Sequence, residues 1–454
     1  MVTAEMPSKT AKPVPSIADI VKEAKAKNVK LIRLQFVDIL GHAKHMSIHV
    51  MQLEKALNNE IMLDGSSIKG FRNIETSDLY FYPDRSTFKV MPWLENGRAV
   101  ARILCDIYNP DGTPFDGCPR NNLKRVTEQA AKLGYIFNVG AELEFFLFKK
   151  NDDGTIAVET HDQAGYYDTA PNDLGELVRG DIVDTLEELG FEVEADHHEV
   201  AAGQHEIDFK YADALSAADN IQTVKFIIRK IAAEHNLHAT FMPKPIFGIN
   251  GSGMHCNMSL ASLEGKNLFY DEKGDYQLSA TALQFSAGML KNVRGITAIT
   301  NPLVNSYKRL VPGYEAPVYV AWSAANRSAL LRVPAKRGNA TRVELRSPDT
   351  ACNPYLAMAA LLLAGLDGIQ NKLEAASPSQ VNIYQLSEDE RAAMNIDSLP
   401  GSLYEALELL KASPIAKAAL GDHIYGEFLK AKTLEWDKFR TNVTPWETDQ
   451  YIKY

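Results

Sequence analysis

The stretch Gly140-Ala-Glu-Leu-Glu-Phe-Phe-Leu-Phe148 constrains this chain more than any other. Short, rich in aromatics, entered through Gly140 and left through the polar run Lys149 to Gly154, it reads as a β-strand. Side chains alternate along a strand, so Ala141, Leu143, Phe145 and Leu147 share one face, and Glu142, Glu144, Phe146 and Phe148 the other. Apart from the two acids both faces are apolar, the pattern of a strand buried on both sides. Two ionised carboxylates in such a place each cost on the order of several kcal/mol without a countercharge. The strand therefore asks for a cation over Glu142 and Glu144, unless it lies at a sheet end where both acids reach water.

At 454 residues the chain is long enough for two domains. Residues 1–14 contain Pro7, Pro13, Lys9 and Lys12 with little apolar content, and read as a loose tail. From Ser16 a helix fits, with Ile17, Ile20, Val21 and Ala24 at helical spacing, followed by an alternating strand from Lys30 to Asp38. The glycines and serines of Glu60 to Arg72 mark a loop. Short strands follow near Thr87 to Met91 and Ala99 to Asp106. The turn-rich run Asn109 to Pro119 is the natural boundary between a first domain at 15–115 and a second at 116–454. Beyond it helices and strands alternate: Leu123 to Leu133, Phe137 to Phe148, Leu174 to Leu189 and Phe191 to Val200. This reads as one large domain of paired strands with helices behind them.

The net charge of −10 argues against a nucleic-acid backbone or an anionic membrane surface as the main partner. No apolar run approaches the roughly 20 residues of a membrane span, and residues 1–16 lack a secretory-signal core, so a cytoplasmic protein is expected. Cys105, Cys118, Cys256 and Cys352 are widely spaced and suit reduced, packed thiols.

More carboxylates gather in Phe191 to Tyr211. If Ala201 to Gln204 form a four-residue hairpin loop, Glu199 sits opposite Glu206, and like charges so placed repel unless a cation bridges them. His255 lies in the glycine-rich Asn250-Gly-Ser-Gly-Met-His255, and Arg342, Glu344 and Arg346 share one strand face. Five carboxylates and one histidine, without thiolate, suit two hard divalent ions such as Mg²⁺ or Mn²⁺ rather than structural zinc. Between Asn305 and Arg346 the basic residues cluster, with only Glu315 and Glu344 as acids, which points to an anionic ligand. The loop Tyr307 to Pro317, held by Pro312, Gly313 and Pro317, has the makings of a lid with Glu315 at its tip. Metals, arginines and a lid are the parts of phosphoryl transfer, here without a P-loop motif.

Six ordered motifs together resemble type I bacterial glutamine synthetase: Leu63 to Ser67, Gly140 to Glu144, His198 to Ala201, Asn250 to His255, Asn305 to Pro317 and Arg342 to Asp349. The resemblance implies an α+β fold, with an N-terminal β-grasp domain followed by a catalytic domain whose curved antiparallel sheet forms a funnel backed by helices. It implies that Glu144, Glu199 and Glu206 hold one metal and Glu142, His255 and Glu344 the other, and leaves open a third ion with ATP. Arg309, Glu315 and Arg346, with Asn250 and Gly251, would bind glutamate. Glu194, Tyr211, Asn257, Ser259, Arg332 and Arg342 would surround ATP, with Arg327 on the transferred phosphate. Asp64, supplied by a neighbouring subunit, would hold ammonium together with Glu315.

The implied chemistry has two steps: the γ-carboxylate of glutamate attacks the γ-phosphate of ATP, and ammonia displaces phosphate from γ-glutamyl phosphate. The ending Thr444 to Tyr454 resembles the segment that joins two hexamer rings into a dodecamer with active sites between subunits. Two departures stand out. Ser377 to Pro400 leaves no obvious room for an adenylylated tyrosine segment, and Asn73 stands where the feedback-inhibited branch has arginine. A regulatory protein partner is compatible with the chain but marked by no motif. Two rival readings remain at this point: a ligase for a polyamine or other amine, and a non-catalytic scaffold or regulator. Asp64 and Glu315 favour a small cation, and every expected metal position is filled.

Overall fold

The computed structural model describes residues 13–324, 326 and 328–454. The expected loose tail, but for its last two residues, and Arg327 lie outside the described residues. Ser16 starts the first helix, α1 (Ile17–Ala26), through a capping box with Asp19, and Ile20 and Ala24 bury its inner stripe. There follow β1 (Val29–Val37), β2 (Ala43–His49), α2 (Leu53–Leu57), β3 (Met62–Asp64), β4 (Asp78–Pro83), β5 (Lys89–Glu95) and β6 (Arg98–Tyr108). Their sheet runs β2-β1-β6-β4-β3, with β5 also on β6; β1 and β6 are parallel and the other pairs antiparallel. The segment read as a loop from Glu60 thus contributes a strand, because buried Leu63 pairs with Leu79 in the core.

The turn-rich run separates β6 from α3 (Pro119–Lys132). Next come β7 (Tyr135–Lys150), β8 (Ile156–Thr160), α4 (Glu176–Glu188), β9 (Val193–His198), β10 (Gln204–Phe209), β11 (Ala212–Asp213), α5 (Ala214–Glu234), β12 (Leu237–Thr240) and β13 (Met254–Ser262). The chain continues through α6 (Ala280–Thr300), α7 (Ser306–Arg309), β14 (Trp322–Ser323), β15 (Leu331–Arg332), β16 (Val343–Leu345) and α8 (Pro354–Gln370). It ends with α9 (Glu388–Ala393), α10 (Leu403–Ala412), α11 (Pro414–Arg440) and α12 (Pro445–Tyr451). The strands form one curled sheet, a half-barrel backed by helices, in the order β14-β15-β16-β13-β7-β10-β9, antiparallel except at β14 and β15.

Strand β7 is the axis of this sheet, pairing with β8, β10, β11, β12 and β13. Its faces divide as the alternation requires. Ala141, Leu143, Phe145 and Leu147 enter the main core with α3, α5, α6 and α8, whereas Phe146 and Phe148 pack with Ala201 in a small cluster of their own. Glu142 and Glu144 are left on the concave side.

Between the two domains Arg120, at the start of α3, is buried among acids. It donates to both oxygens of Asp219 (2.9 and 2.8 Å), to Asp106 (2.9 Å) and to Asp84 (2.8 Å). Lys124 also donates to Asp106, and the Tyr355 hydroxyl donates to Asp219 at 2.7 Å. Asp84 and Asp106 come from the N-terminal sheet region and Asp219 from α5, so one guanidinium ties the halves together.

Candidate active site

Four adjacent strands place the donors in rows. Glu206 of β10 lies opposite Glu144 of β7; Asp208 and His255 flank Glu142 from β10 and β13; Asn257 lies between Gly140 and Glu344 of β16. Because the strands are antiparallel and in register, residues far apart in sequence share one concave surface.

Two groups of donor atoms result, each closing to within 4.8 Å: Glu142, His255 and Glu344, and His197, Glu199 and Glu206. His255 Nδ1 stands 2.9 Å from Glu142 and 3.7 Å from Glu344. Glu344 also pairs with Arg332 at 2.8 Å and Arg346 at 3.2 Å. In the other group the His197 ring reaches Glu199 at 3.7 Å and Glu206 at 3.6 Å.

The hairpin differs from the sequence expectation. His197, not Glu199, lies opposite Glu206, and the four-residue turn is Val200 to Gly203, closed by Glu199 N–H to Gln204 O at 2.8 Å. Glu144 stands one strand away, its Oε2 accepting from Gln204 Nε2 and the Gly253 N–H, both at 2.8 Å. Sequence reasoning passed over His197, Asp208 and Gln204; for the first two, the alternation of His197, Glu206 and Asp208 across one hairpin face was the signal available.

The electrostatics separate the two groups. Burial and the surrounding carboxylates, Asp208 first, push Glu206 up to about 12. Burial and Glu144 raise Glu199 to about 7, and burial and Glu142 raise Asp208 to about 7. Glu142 goes the other way: against its burial, the His255 hydrogen bond and charge, then Asn257 and Arg346, carry it down to about 2. Oxygen donors this crowded cannot all ionise without added positive charge, and that donor set fits divalent cations.

A cavity of about 540 Å³ holds both groups and is also lined by Asn250, Gly251, Arg309, Glu315, Arg332 and Arg346. Tyr166 and Tyr167, which sequence reasoning did not single out, stack on each other at 4.1 Å and present their rings to His197 on the same wall. Gly251 and Gly253 permit close approach: a Cβ on the first would fall 2.1 Å from Pro243 O, and on the second 2.4 Å from the Arg309 guanidinium. Arg309 itself is buried and donates to the carbonyls of Arg346, Ser347 and Pro348. Glu315, at φ +58°, accepts from Asn250 at 3.0 Å, and Lys244 sits 3.8 Å over the Tyr314 ring beside it.

A second cavity, about 300 Å³, shares Glu142 and Asp208 with the first and is lined by Glu194, Tyr211, Asn257, Ser259 and Arg342. Arg342 donates to Asn257 at 2.8 Å, and Asn257 donates to Glu142 at 2.8 Å. Asp64 is not brought to either cavity of its own chain; it is exposed on β3, and its carboxylate accepts the Ser66 N–H at 2.8 Å.

The family model described as the glutamine synthetase catalytic domain matches residues 116–451, and that of the glutamine synthetase β-grasp domain matches residues 28–110. Glutamine synthetases of Staphylococcus epidermidis and Staphylococcus aureus are each 57% identical over 437 residues, 96% of this chain and 98% of theirs. Among solved structures, Plasmodium falciparum glutamine synthetase superposes with a TM-score of 0.86 at 28% identity, covering 96% of this chain and 99% of that one. GmaS in complex with ADP gives 0.87 at 30% identity, covering 96% and 100%.

Proposed function

The chain belongs to the glutamine synthetase family, and on that premise we propose that the two joined cavities are where ATP, glutamate and ammonia meet on it. The protein is a ligase that joins ammonia to L-glutamate at the expense of ATP, and it depends on divalent metal. We assign one ion to Glu142, His255 and Glu344 and a second to Glu144, Glu199 and Glu206, with His197 close enough to join the latter set. Mg²⁺ or Mn²⁺ is the expected metal, and a bound divalent ion neutralises phosphate oxygens during transfer.

The observation that carries this reading is the wall shared by the cavities. Glu142 and Asp208 face both, so a nucleotide held along Glu194, Tyr211, Asn257, Ser259 and Arg342 would end its phosphates among the donors. Arg332 and Arg346 would then meet anionic oxygens, and Arg327 joins them on the resemblance alone. Glutamate would lie along Asn250, Gly251, Arg309 and Arg346. Closure of the Glu315 segment would exclude water from an acyl phosphate that hydrolyses readily.

Asp64 would reach the cavity of an adjacent subunit and, with Glu315, hold ammonium as it loses its proton. A dodecamer of two stacked rings supplies that geometry. Its support is α12, which opens with a Thr444–Glu447 capping box and leaves Trp446, Tyr451 and Ile452 exposed. Phosphate release from ATP with glutamate and Mg²⁺ or Mn²⁺, comparing ammonium, putrescine and ethanolamine, tests the acceptor. Turnover with ammonium is expected, with glutamine as product; turnover confined to the larger amines would overturn the roles of Asp64 and Glu315.

A further inference from the structure

Glu199 lies just past the end of β9, its N–H still donating to Gln204 O at 2.8 Å. On the cavity side its carboxylate accepts the Val200 N–H at 3.0 Å. The back of the same turn is tied down more firmly. His198, wholly buried, faces away from the cavity with Nδ1 2.6 Å from the Glu199 carbonyl and Nε2 3.1 Å from Asp162 Oδ1. That same Asp162 oxygen accepts the Gly203 N–H at 2.9 Å, while the other accepts the Leu174 N–H at 3.2 Å. One ring and one carboxylate thus grip the carbonyl that enters the turn and the N–H that leaves it. Gly203 is at φ +67°, and a Cβ there would fall 2.7 Å from the Thr160 side chain, so the turn is pressed against the segment that carries Asp162.

Behind the turn other donor atoms come close enough to share an ion: His161, Asp162 and His205, and Asp173, His198 and His205. Arg179 already supplies the positive charge there. It donates to Asp173 at 3.2 and 2.8 Å, to Asp196 at 2.7 Å and to His205 Nδ1 at 2.9 Å. A cation among them would meet the guanidinium, so the cluster is a framework and not another metal centre.

We propose that His198 and Asp162 are positioning residues for Glu199, a clamp on the back of the turn that sets where its carboxylate stands relative to Glu206. The clamp rests on the reading of Glu199 as a metal ligand. Partners behind a ligand typically change metal affinity by about 10- to 100-fold when removed. Here the grip is on the ligand's backbone, and a loss on the order of 10-fold is expected at one site only.

The test is Mn²⁺ titration of the metal-free, full-length protein without nucleotide or glutamate, followed by electron paramagnetic resonance of the free ion. Glu199→Gln should remove tight binding at one of two sites. His198→Ala and Asp162→Asn should weaken that same site and spare the one built on Glu142, His255 and Glu344, and His198→Gln, which keeps an amide donor, should recover part of the loss. Equal weakening of both sites would overturn the clamp, as would wild-type binding by His198→Ala and Asp162→Asn while Glu199→Gln loses a site. Retention of both sites by Glu199→Gln would overturn the ligand assignment and the clamp with it. Should His198→Ala fail to fold, Asp162→Asn decides on the same outcomes.

Discussion

Two buried gatherings of carboxylates lie in this molecule, and they are neutralised in opposite ways. Around Arg120, the acids Asp84, Asp106 and Asp219 each accept a hydrogen bond from the guanidinium, and Lys124 and Tyr355 complete the set. Around the large cavity, Glu144, Glu199, Glu206 and Asp208 face one another, while Arg332 and Arg346 are committed to Glu344. The first gathering is complete within the chain and holds two domains together. The second lacks matching positive charge among the described residues, which is what distinguishes a binding site from a structural ion cluster.

The contrast can be broken in several places. Replacing Glu344 by alanine should lower ATP-dependent phosphate release by roughly 10²- to 10³-fold while the oligomer stays assembled; unchanged turnover would remove the metal assignment. Arg120→Ala should instead act on stability, costing about 3–5 kcal/mol because buried Asp106 and Asp219 and half-buried Asp84 lose the guanidinium they share, leaving only Lys124 and the Tyr355 hydroxyl. Chemical denaturation with and without Mg²⁺ checks this: restoration of the variant by Mg²⁺ would erase the distinction between the clusters.

A smaller effect separates the clusters by pH. Glu199, Glu206 and Asp208 have raised values in the fold, so without metal they hold protons that the unfolded chain has lost. Their contribution to stability therefore falls as pH rises from about 4 through neutrality, and saturating metal should flatten that slope. Asp84 has the opposite sign: against its burial, Arg120 holds it below the ordinary carboxylate value. Its contribution is present above the unfolded value and is lost as pH falls through the folded one. Urea midpoints between pH 5 and 8, with and without Mg²⁺, measure the first slope, and Arg120→Ala should flatten the second below pH 4. The smallest change expected is Lys124→Ala, under about 1 kcal/mol in the same denaturation experiment, since that ammonium is a third exposed and water can replace it.

What could be read in the sequence followed from local pattern. The centre of the doubly apolar strand with its two acids was legible, though β7 extends beyond it at both ends, and the apolar spacing after Ser16 announced the first helix. The β9–β10 turn was misplaced by one residue because its closure depends on Asp162, some forty positions upstream, taking the Gly203 N–H. No local pattern reports such a partner. His197 escaped notice for a related reason: beside His198 it looks like one of a pair, and only the strand alternation shows that one ring faces the cavity and the other the framework behind it. Arg120 carried no signal at all, since Asp84, Asp106 and Asp219 come from three distant segments. Arg309 was legible as part of a basic cluster, but not as a donor to three backbone carbonyls.

The central position of β7 also sets a clock on the birth of the protein. Glu142 leaves the ribosome early, but His255 follows 113 residues later and Glu344 roughly 200 residues later. At about 5–20 residues per second, the cluster waits about 10–40 s for the last of these side chains to be synthesised. During that interval the strand has two apolar faces and no complete set of neighbours, which leaves β7 open to pairing with another chain until its later partners arrive.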